Sequence, residues 1–177
     1  MLPYWGLYLE SLGFKPAQIG ELMALVMATK IISPNVWGWI ADHTGKPMAI
    51  VRLGSLAAAV AFSAALFGHS FLWLAVVMTV FSFFWNASLP QFEATTFSHL
   101  GNQAHRYSSI RLWGSIGFIL AVTVLGSIFE AVGIGALPAI LLTLMIGIWL
   151  MSLLVPERES PVISDHLPLR EVLRRPE

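Results

Sequence analysis

Long apolar runs, separated by short polar or glycine-containing turns, make up most of this sequence. A helix needs about 20 predominantly apolar residues to cross the hydrocarbon core of a bilayer. The pattern predicts membrane-spanning helices over about 16–41, 48–67, 71–93, 109–129 and 136–155. Residues 1–12 are apolar but too short to span, and we interpret them as the second half of a helix that stops at Gly13. The predicted fold is an all-α membrane protein with six transmembrane helices, the first one truncated.

Composition supports a membrane protein and excludes several other classes. Hydrophobic residues make up 56% of the chain and charged residues 11%, far from the usual soluble domain. The formal net charge of zero gives no argument for a nucleic-acid partner. The chain has no cysteine, and His99 and His105 have no acidic third member at a metal-ligand spacing. We therefore expect no metal, no cofactor and no enzymatic activity, since no nucleophile–base pair is recognisable either.

The distribution of Lys and Arg predicts the orientation in the membrane. One set of predicted loops and helix ends carries Lys46, Arg52, Arg106, Arg158, Arg170, Arg174 and Arg175, whereas the opposite set carries only Lys15. Because basic residues concentrate on the cytoplasmic side, the first set is expected there. We interpret 1–155 as one helical bundle and 156–177 as a cytoplasmic linker to a missing C-terminal half. The basic end of that linker, 167–177, resembles a short amphipathic helix at the membrane surface.

Two opposite charges flank the turn between the predicted fourth and fifth helices. Glu93 and Arg111 each lie nine residues from Asn102, the centre of this turn. At about 1.5 Å per helical residue, both side chains would sit at equal depth, roughly 10 Å from the turn. An ionised group in the membrane needs an opposite charge, water or a ligand. Two interpretations remain open at this point: a structural ion pair that clamps two helices, and a pair that binds substrate.

A third intramembrane charge, Lys30, lies close to the middle of the second predicted helix. Its distance from both helix ends places the ammonium group beyond the reach of the membrane surface. Either an unidentified acid neutralises it, or it faces a wet central cavity and meets an anionic substrate or a carboxylate. Pro34 follows one turn later, and its missing N–H frees a backbone carbonyl that must be satisfied inside protein or water.

The segment GWIADHTGKP, residues 38–47, joins the second and third predicted helices. Gly38 would permit close helix approach, Asp42 would cap or pair at the surface, Gly45 would make the tight turn, and Lys46 would face the anionic leaflet. The segment resembles the loop signature of the major facilitator superfamily, G-x-x-x-D-[RK]-x-G-[RK]-[RK]. His43 and Pro47 stand where that pattern has basic residues.

The hairpin 86–118 resembles the corresponding hairpin of lactose permease-like proton symporters. Its N-A-x-x-P-x-x-E-A pattern is matched by Asn86, Ala87, Pro90, Glu93 and Ala94, followed by Arg111, Gly114 and Gly117. In that family the glutamate and arginine bind substrate hydroxyls, and a sugar-stacking tryptophan stands at the position of Phe118. The resemblance therefore implies a substrate site containing Glu93, Arg111, Phe118 and Asn86, with Lys30 added from its position in the membrane.

Residues 2–20 and 110–118 resemble segments of the 3-phenylpropionate transporter group of the same superfamily. This resemblance implies the six-helix N-terminal half of a twelve-helix transporter in the bacterial inner membrane. It also implies proton symport of a small organic solute, and Lys30 favours an aromatic or aliphatic carboxylate over a sugar. The alternative, from another class, is a non-transporting receptor-like or assembly protein whose buried charges only hold helices together.

Overall fold

The computed structural model describes residues 2–157, without the side chains of residues 2, 102 and 104, and its regular elements are helices throughout. They are α1 (Leu2–Ser11), α2 (Pro16–Thr44), α3 (Pro47–Ser63), α4 (Phe71–Leu100), α5 (Tyr107–Val132) and α6 (Leu137–Leu154). Short 3-10 turns follow α3 at Ala64–Leu66, join α4 to α5 at Gly101–Arg106, and precede α6 at Ile134–Ala136. Residues 158–177 of the predicted linker, including its amphipathic segment and four arginines, lie outside the described residues.

Local sequence explains where these helices begin and end. Pro16 and Pro47 occupy the first helical positions of α2 and α3, where their missing N–H groups cost nothing. Gly45 ends α2 in the left-handed conformation, at φ 64°, and its N–H donates to the Ala41 carbonyl at 2.9 Å. The Ser70 hydroxyl accepts a hydrogen bond from the Trp73 N–H at the start of α4. The prediction of a tight turn at Gly45 is confirmed.

Five helical stretches in the described chain are long and apolar enough to cross a membrane, namely α2, α3 with its 3-10 turn, α4, α5, and α6 with the turn before it. The ten-residue α1 is too short to belong to this set. The prediction of an all-α, multi-pass membrane protein is therefore confirmed. Several boundaries differ from the sequence pattern: α2 continues to Thr44, α4 continues to Leu100, and α5 extends over Tyr107–Val132. Gly38 and Asp42 consequently lie in the last turns of α2, and of the four predicted loop residues only Gly45 and Lys46 lie in the loop.

The closest helix packing involves α3 and α4. A Cβ atom built on Gly54 of α3 would lie 3.0 Å from the Ala87 Cβ and 3.1 Å from the Phe84 carbonyl oxygen of α4. Small residues at such crossings let backbones approach in membrane proteins. The main apolar core lies beside this crossing, where Trp5, Leu9, Phe62, Leu74 and Met78 are fully buried or nearly so. Gly54 and Ala87 thus allow the close approach of α3 to α4.

An ion pair connects the beginning of α3 to the end of α6. The Arg52 Nη1 atom lies 3.6 Å from Glu157 Oε2, and another guanidinium nitrogen donates to the Val155 carbonyl at 2.8 Å. In return, Glu157 Oε1 accepts the Met48 N–H at 3.0 Å, in the first turn of α3. A cation thus caps the C-terminal end of one helix while a carboxylate caps the N-terminal end of the other, as the helix dipoles favour. We call Arg52, Glu157 and these backbone partners the α3–α6 clasp.

Candidate functional site

The structure brings Glu93 of α4 and Arg111 of α5 together. Arg111 Nη1 lies 3.6 Å from Glu93 Oε1, and the two side chains are 70% and 40% exposed, respectively. The shorter contact to this carboxylate comes from Tyr107, whose hydroxyl donates to Glu93 Oε1 at 2.9 Å. Arg111 Nη1 in turn donates to the Tyr107 hydroxyl at 3.5 Å. The site is therefore a triad in which a phenol stands between a carboxylate and a guanidinium group.

The two charges approach each other from unequal positions along their helices. Glu93 lies seven residues before the last residue of α4, whereas Arg111 lies four residues after the first residue of α5. The prediction of equal distances from the turn along two helices is therefore wrong, because the connection Gly101–Arg106 is itself a 3-10 turn displaced toward α5. The charged ends of the two side chains nevertheless lie 3.6 Å apart.

The triad lines a cavity of about 820 Å³ between α4 and α5. Its wall contains Leu89, Phe92, Glu93, Thr96, Tyr107, Ile110, Arg111, Gly114, Ser115, Phe118 and Ile119. The wall combines apolar side chains with five polar ones, a composition typical of sites for small organic ligands. The volume is also within the range of such sites.

A second cavity, of about 620 Å³, contains the other predicted residues. Lys30 of α2 and Asn86 of α4 line it together with the aromatic side chains of Trp5, Phe81 and Trp85. Leu89 and Phe118 belong to the walls of both cavities. All five residues predicted for the substrate site therefore lie on two neighbouring cavities that share part of their wall.

Asn86 belongs to a polar connection between α2 and α4. Its Nδ2 donates to the Ser82 Oγ at 3.1 Å, and this hydroxyl is hydrogen-bonded to Thr29 Oγ1. Thr29 Oγ1 also donates to the Val26 carbonyl at 2.8 Å. Ser82 and Thr29 are buried, so their hydrogen-bonding groups are satisfied within this network. The network fixes the Asn86 amide group at the wall of the cavity.

Lys30 has no such connection. Its side chain is exposed, and the structure of residues 2–157 shows no ion pair and no side-chain hydrogen bond for its ammonium group. Glu93 and Arg111, by contrast, balance one another's charge. Among the three intramembrane charges predicted from the sequence, Lys30 is therefore the one whose charge lacks a partner in the described part of the chain. The two cavity walls together carry one uncompensated positive charge.

The residues predicted for a gating loop lie apart from these walls. Gly45 and Lys46 connect α2 to α3, and Asp42 is exposed near the end of α2. Gly38 was expected to permit close helix approach, but a Cβ atom there would meet nothing within 4 Å among the described residues. The same holds for Gly114 and Gly117 of α5, so these two glycines make no close helix contact here either.

Sequence reasoning missed two features. Tyr107 precedes the predicted helix 109–129, although its spacing of four residues from Arg111 would place both on one helix face. Glu157 falls in the predicted linker 156–177, and only the fold brings it to Arg52 across more than a hundred residues. Within the described residues, no group of three or more His, Asp or Glu side chains could hold a metal ion. The arrangement offers charge pairing, hydrogen bonding and aromatic contact to a ligand.

Comparison with known proteins agrees with this picture. The model of the MFS_1 like family matches residues 1–165. The maltose permease of Geobacillus stearothermophilus is 30% identical over 127 residues, which cover 71% of this chain and 32% of the permease. A probable 3-phenylpropionic acid transporter of Escherichia coli K12 is 27% identical over 166 residues, covering 90% of this chain and 42% of that transporter.

The chain thus spans roughly a third to two fifths of the length of these curated relatives. No solved structure shows significant similarity to it. The family match covers the whole described bundle, and the loop and hairpin signatures that resemble the major facilitator superfamily lie within it. The chain belongs to the MFS_1 like family and carries the helix pattern of the N-terminal half of a major facilitator transporter.

Proposed function

We propose that this chain forms one half of a secondary transporter that moves a small organic solute across the membrane. The observation that carries the proposal is the meeting of Lys30, Asn86, Glu93, Arg111 and Phe118 on two cavities with a common wall. Transporters of this architecture bind their substrates near the middle of the membrane, between two halves. The similarity to a maltose permease and to a probable 3-phenylpropionic acid transporter supports the same activity.

The charges of the cavity walls favour an anionic substrate. Glu93 and Arg111 compensate each other, whereas Lys30 has no partner in the described chain. Bringing a cation into an apolar wall costs less when a ligand supplies the opposite charge. Trp85 and Phe118, which are partly buried and exposed, respectively, offer flat faces to an aromatic or aliphatic body. We therefore propose a monocarboxylate with an apolar body as the substrate class, carried into the cell with a proton.

The second half of the binding site would come from a further six-helix bundle. The exposed faces of α2 and α5 carry large apolar side chains, among them Ile31, Ile32, Leu112 and Trp113. Apolar faces of this size on cavity-forming helices are consistent with coverage by lipid and by a C-terminal half. We propose residues 1–155 as the N-terminal bundle and 156–177 as the connection to that half, in a bacterial inner membrane.

Uptake by the full-length protein tests the proposal. Labelled 3-phenylpropionate and labelled maltose serve as a carboxylate probe and a sugar probe in proteoliposomes with an imposed proton gradient. Glu93→Gln and Arg111→Lys should each abolish uptake at matched protein levels, because lysine keeps the charge but lacks the planar fork that grips two oxygens. The control is Lys15→Gln, a change at an exposed position before α2, which should leave uptake intact.

The double neutral variant separates substrate binding from a structural pair. If the pair only clamps α4 to α5, removing both charges leaves no unpaired charge and uptake should return. If the pair binds substrate, the double variant should stay inactive while the protein still inserts. Recovery to near wild-type uptake would contradict the substrate role of Glu93 and Arg111 and favour the clamp.

Membrane orientation is proposed from the basic residues and has its own test. Thr44 lies at the end of α2 and Ser70 at the start of α4, both exposed and at opposite ends of α3. A cysteine introduced at Thr44 should resist a membrane-impermeant thiol reagent in intact cells, whereas one at Ser70 should react. The reverse labelling pattern would contradict a cytoplasmic Lys46 loop.

A further inference from the structure

We infer that Tyr107 is a positioning residue that keeps the Arg111 guanidinium group available to a carboxylate ligand. The inference rests on the proposed transport function and adds to it a specificity-determining group. Tyr107 lines the same cavity as Glu93 and Arg111, and its hydroxyl contacts both of them.

The geometry of the triad shows what the hydroxyl does. A phenol has a single proton to donate, and here it goes to Glu93 Oε1 at 2.9 Å. Its oxygen then faces Arg111 as an acceptor, at 3.5 Å from Nη1. An arginine and a carboxylate left to themselves favour two parallel hydrogen bonds of about 2.7–2.9 Å. The observed 3.6 Å between Nη1 and Oε1 is longer than such a bond, and the phenol hydroxyl contacts the same carboxylate oxygen at 2.9 Å.

The Tyr107 side chain is held in this place from both sides. Its ring stacks on Phe97 of α4, with centroids 4.3 Å apart and an interplanar angle of 30°. Tyr107 and Arg111 are four residues apart on α5, so they share one face of that helix. The ring is half-buried, which restricts its rotation. The hydroxyl is therefore fixed between groups of two different helices.

The consequence is that Glu93 balances the charge of the Arg111 guanidinium group without forming a bidentate pair with it. Arg111 has five N–H donors and lines the cavity with a side chain that is 70% exposed, and among the described residues its guanidinium contacts are made through Nη1. A ligand carboxylate can bind this fork without first breaking a bidentate pair between Arg111 and Glu93. Without the phenol oxygen, Arg111 would pair directly with Glu93. Glu93 would then compete with the ligand for the guanidinium group.

Chemical modification of Arg111 tests this arrangement without a substrate. Phenylglyoxal reacts with accessible guanidinium groups, and mass spectrometry of the purified full-length protein resolves the reaction at Arg111. Tyr107→Phe should slow this reaction about two- to tenfold, the factor that corresponds to a net hydrogen-bond contribution. The matched control is Tyr4→Phe, which removes a hydroxyl that donates to the Val122 carbonyl at 2.8 Å, away from the triad. That variant should react at the wild-type rate.

A double variant shows whether closure on the carboxylate causes the effect. In Glu93→Gln combined with Tyr107→Phe, Arg111 has no carboxylate to close on, so the reaction rate should return to at least the wild-type value. An unchanged rate in Tyr107→Phe would overturn the inference. So would a lowered rate that the Glu93→Gln change does not restore, because the loss would then come from altered folding around Arg111.

Transport kinetics give the second measurement and separate this inference from the proposed function. In uptake of labelled 3-phenylpropionate, Tyr107→Phe should raise KM about two- to tenfold with little change in the maximal rate, since substrate must compete with Glu93. A fall in the maximal rate with unchanged KM would contradict this role. If the wild-type protein takes up neither probe, the proposed function fails, whereas the modification rates still decide whether Tyr107 holds Arg111 open.

Discussion

Two ion pairs in this protein have the same separation and very different surroundings. Arg52–Glu157 and Arg111–Glu93 each have their closest oxygen and nitrogen atoms 3.6 Å apart. In the α3–α6 clasp, the side chains are 30% and 26% exposed, and backbone groups of both helices complete the hydrogen bonding. In the triad, the side chains are 70% and 40% exposed, and the partner of both charges is one phenol.

The difference shows that separation alone does not define the role of an ion pair. The clasp has little unused hydrogen-bonding capacity, because helix ends occupy its donors and acceptors. It ties two helices that are distant in sequence. In the triad, Arg111 is largely exposed and lines a cavity of about 820 Å³. We therefore expect changes in the clasp to affect stability and changes in the triad to affect transport.

The largest stability effect is expected from removing the clasp arginine. Arg52→Gln loses charged hydrogen bonds to the Val155 and Ser152 carbonyls and leaves Glu157 half-buried without its partner. We expect the free energy of unfolding to fall by about 1.5–3 kcal/mol, the range for hydrogen bonds to charged groups. Arg111→Gln, the same change in the triad, should lower stability by less than about 1 kcal/mol, as for exposed pairs. Thermal unfolding in detergent compares the two, and equal losses would contradict the distinction.

Two glycines on different helices extend the comparison from charged side chains to helix packing. Gly54→Val forces a side chain against Ala87 and the Phe84 carbonyl at the α3–α4 crossing, and overpacking of this kind costs about 1–3 kcal/mol. Gly117→Val on α5 meets open space among the described residues and should leave bundle stability almost unchanged. The measurement is the unfolding temperature of each variant, made in the 177-residue chain by itself and purified in detergent. Strong destabilisation by Gly117→Val would mean that another surface already packs against α5 in the purified protein.

The smallest effect is expected from neutralising the clasp glutamate. In Glu157→Gln the amide oxygen can still accept the Met48 N–H, so only the charge attraction to Arg52 is lost. We expect the free energy of unfolding to fall by about 0.5–1 kcal/mol, measured by thermal unfolding in detergent, with no effect on the KM of uptake. Glu93→Gln should show the opposite pattern, with stability retained and uptake lost. If Glu157→Gln abolishes uptake without lowering stability, the clasp has a role in transport and not only in stability.

The sequence determined the fold class and the identity of the charged residues. Apolar runs of membrane-spanning length, with proline at helix starts and glycine at Gly13 and Gly45, are local signals that need no tertiary contact. The helical hairpin that carries Glu93 and Arg111 could be predicted for the same reason, because its two arms are neighbours along the chain. The exact helix ends could not, since the 3-10 turn after α4 shifts the two charges unequally.

Only the tertiary structure decided which groups meet. Nothing local in the sequence indicates that Glu157 caps α3, because that contact depends on how α6 packs beside α3. The stack of Tyr107 on Phe97 likewise depends on the approach of α5 to α4. Gly38, Gly54 and Gly117 have the same chemistry, yet only Gly54 lies at a close crossing among the described residues. A glycine permits close approach, but the packing of the whole bundle determines where that approach occurs.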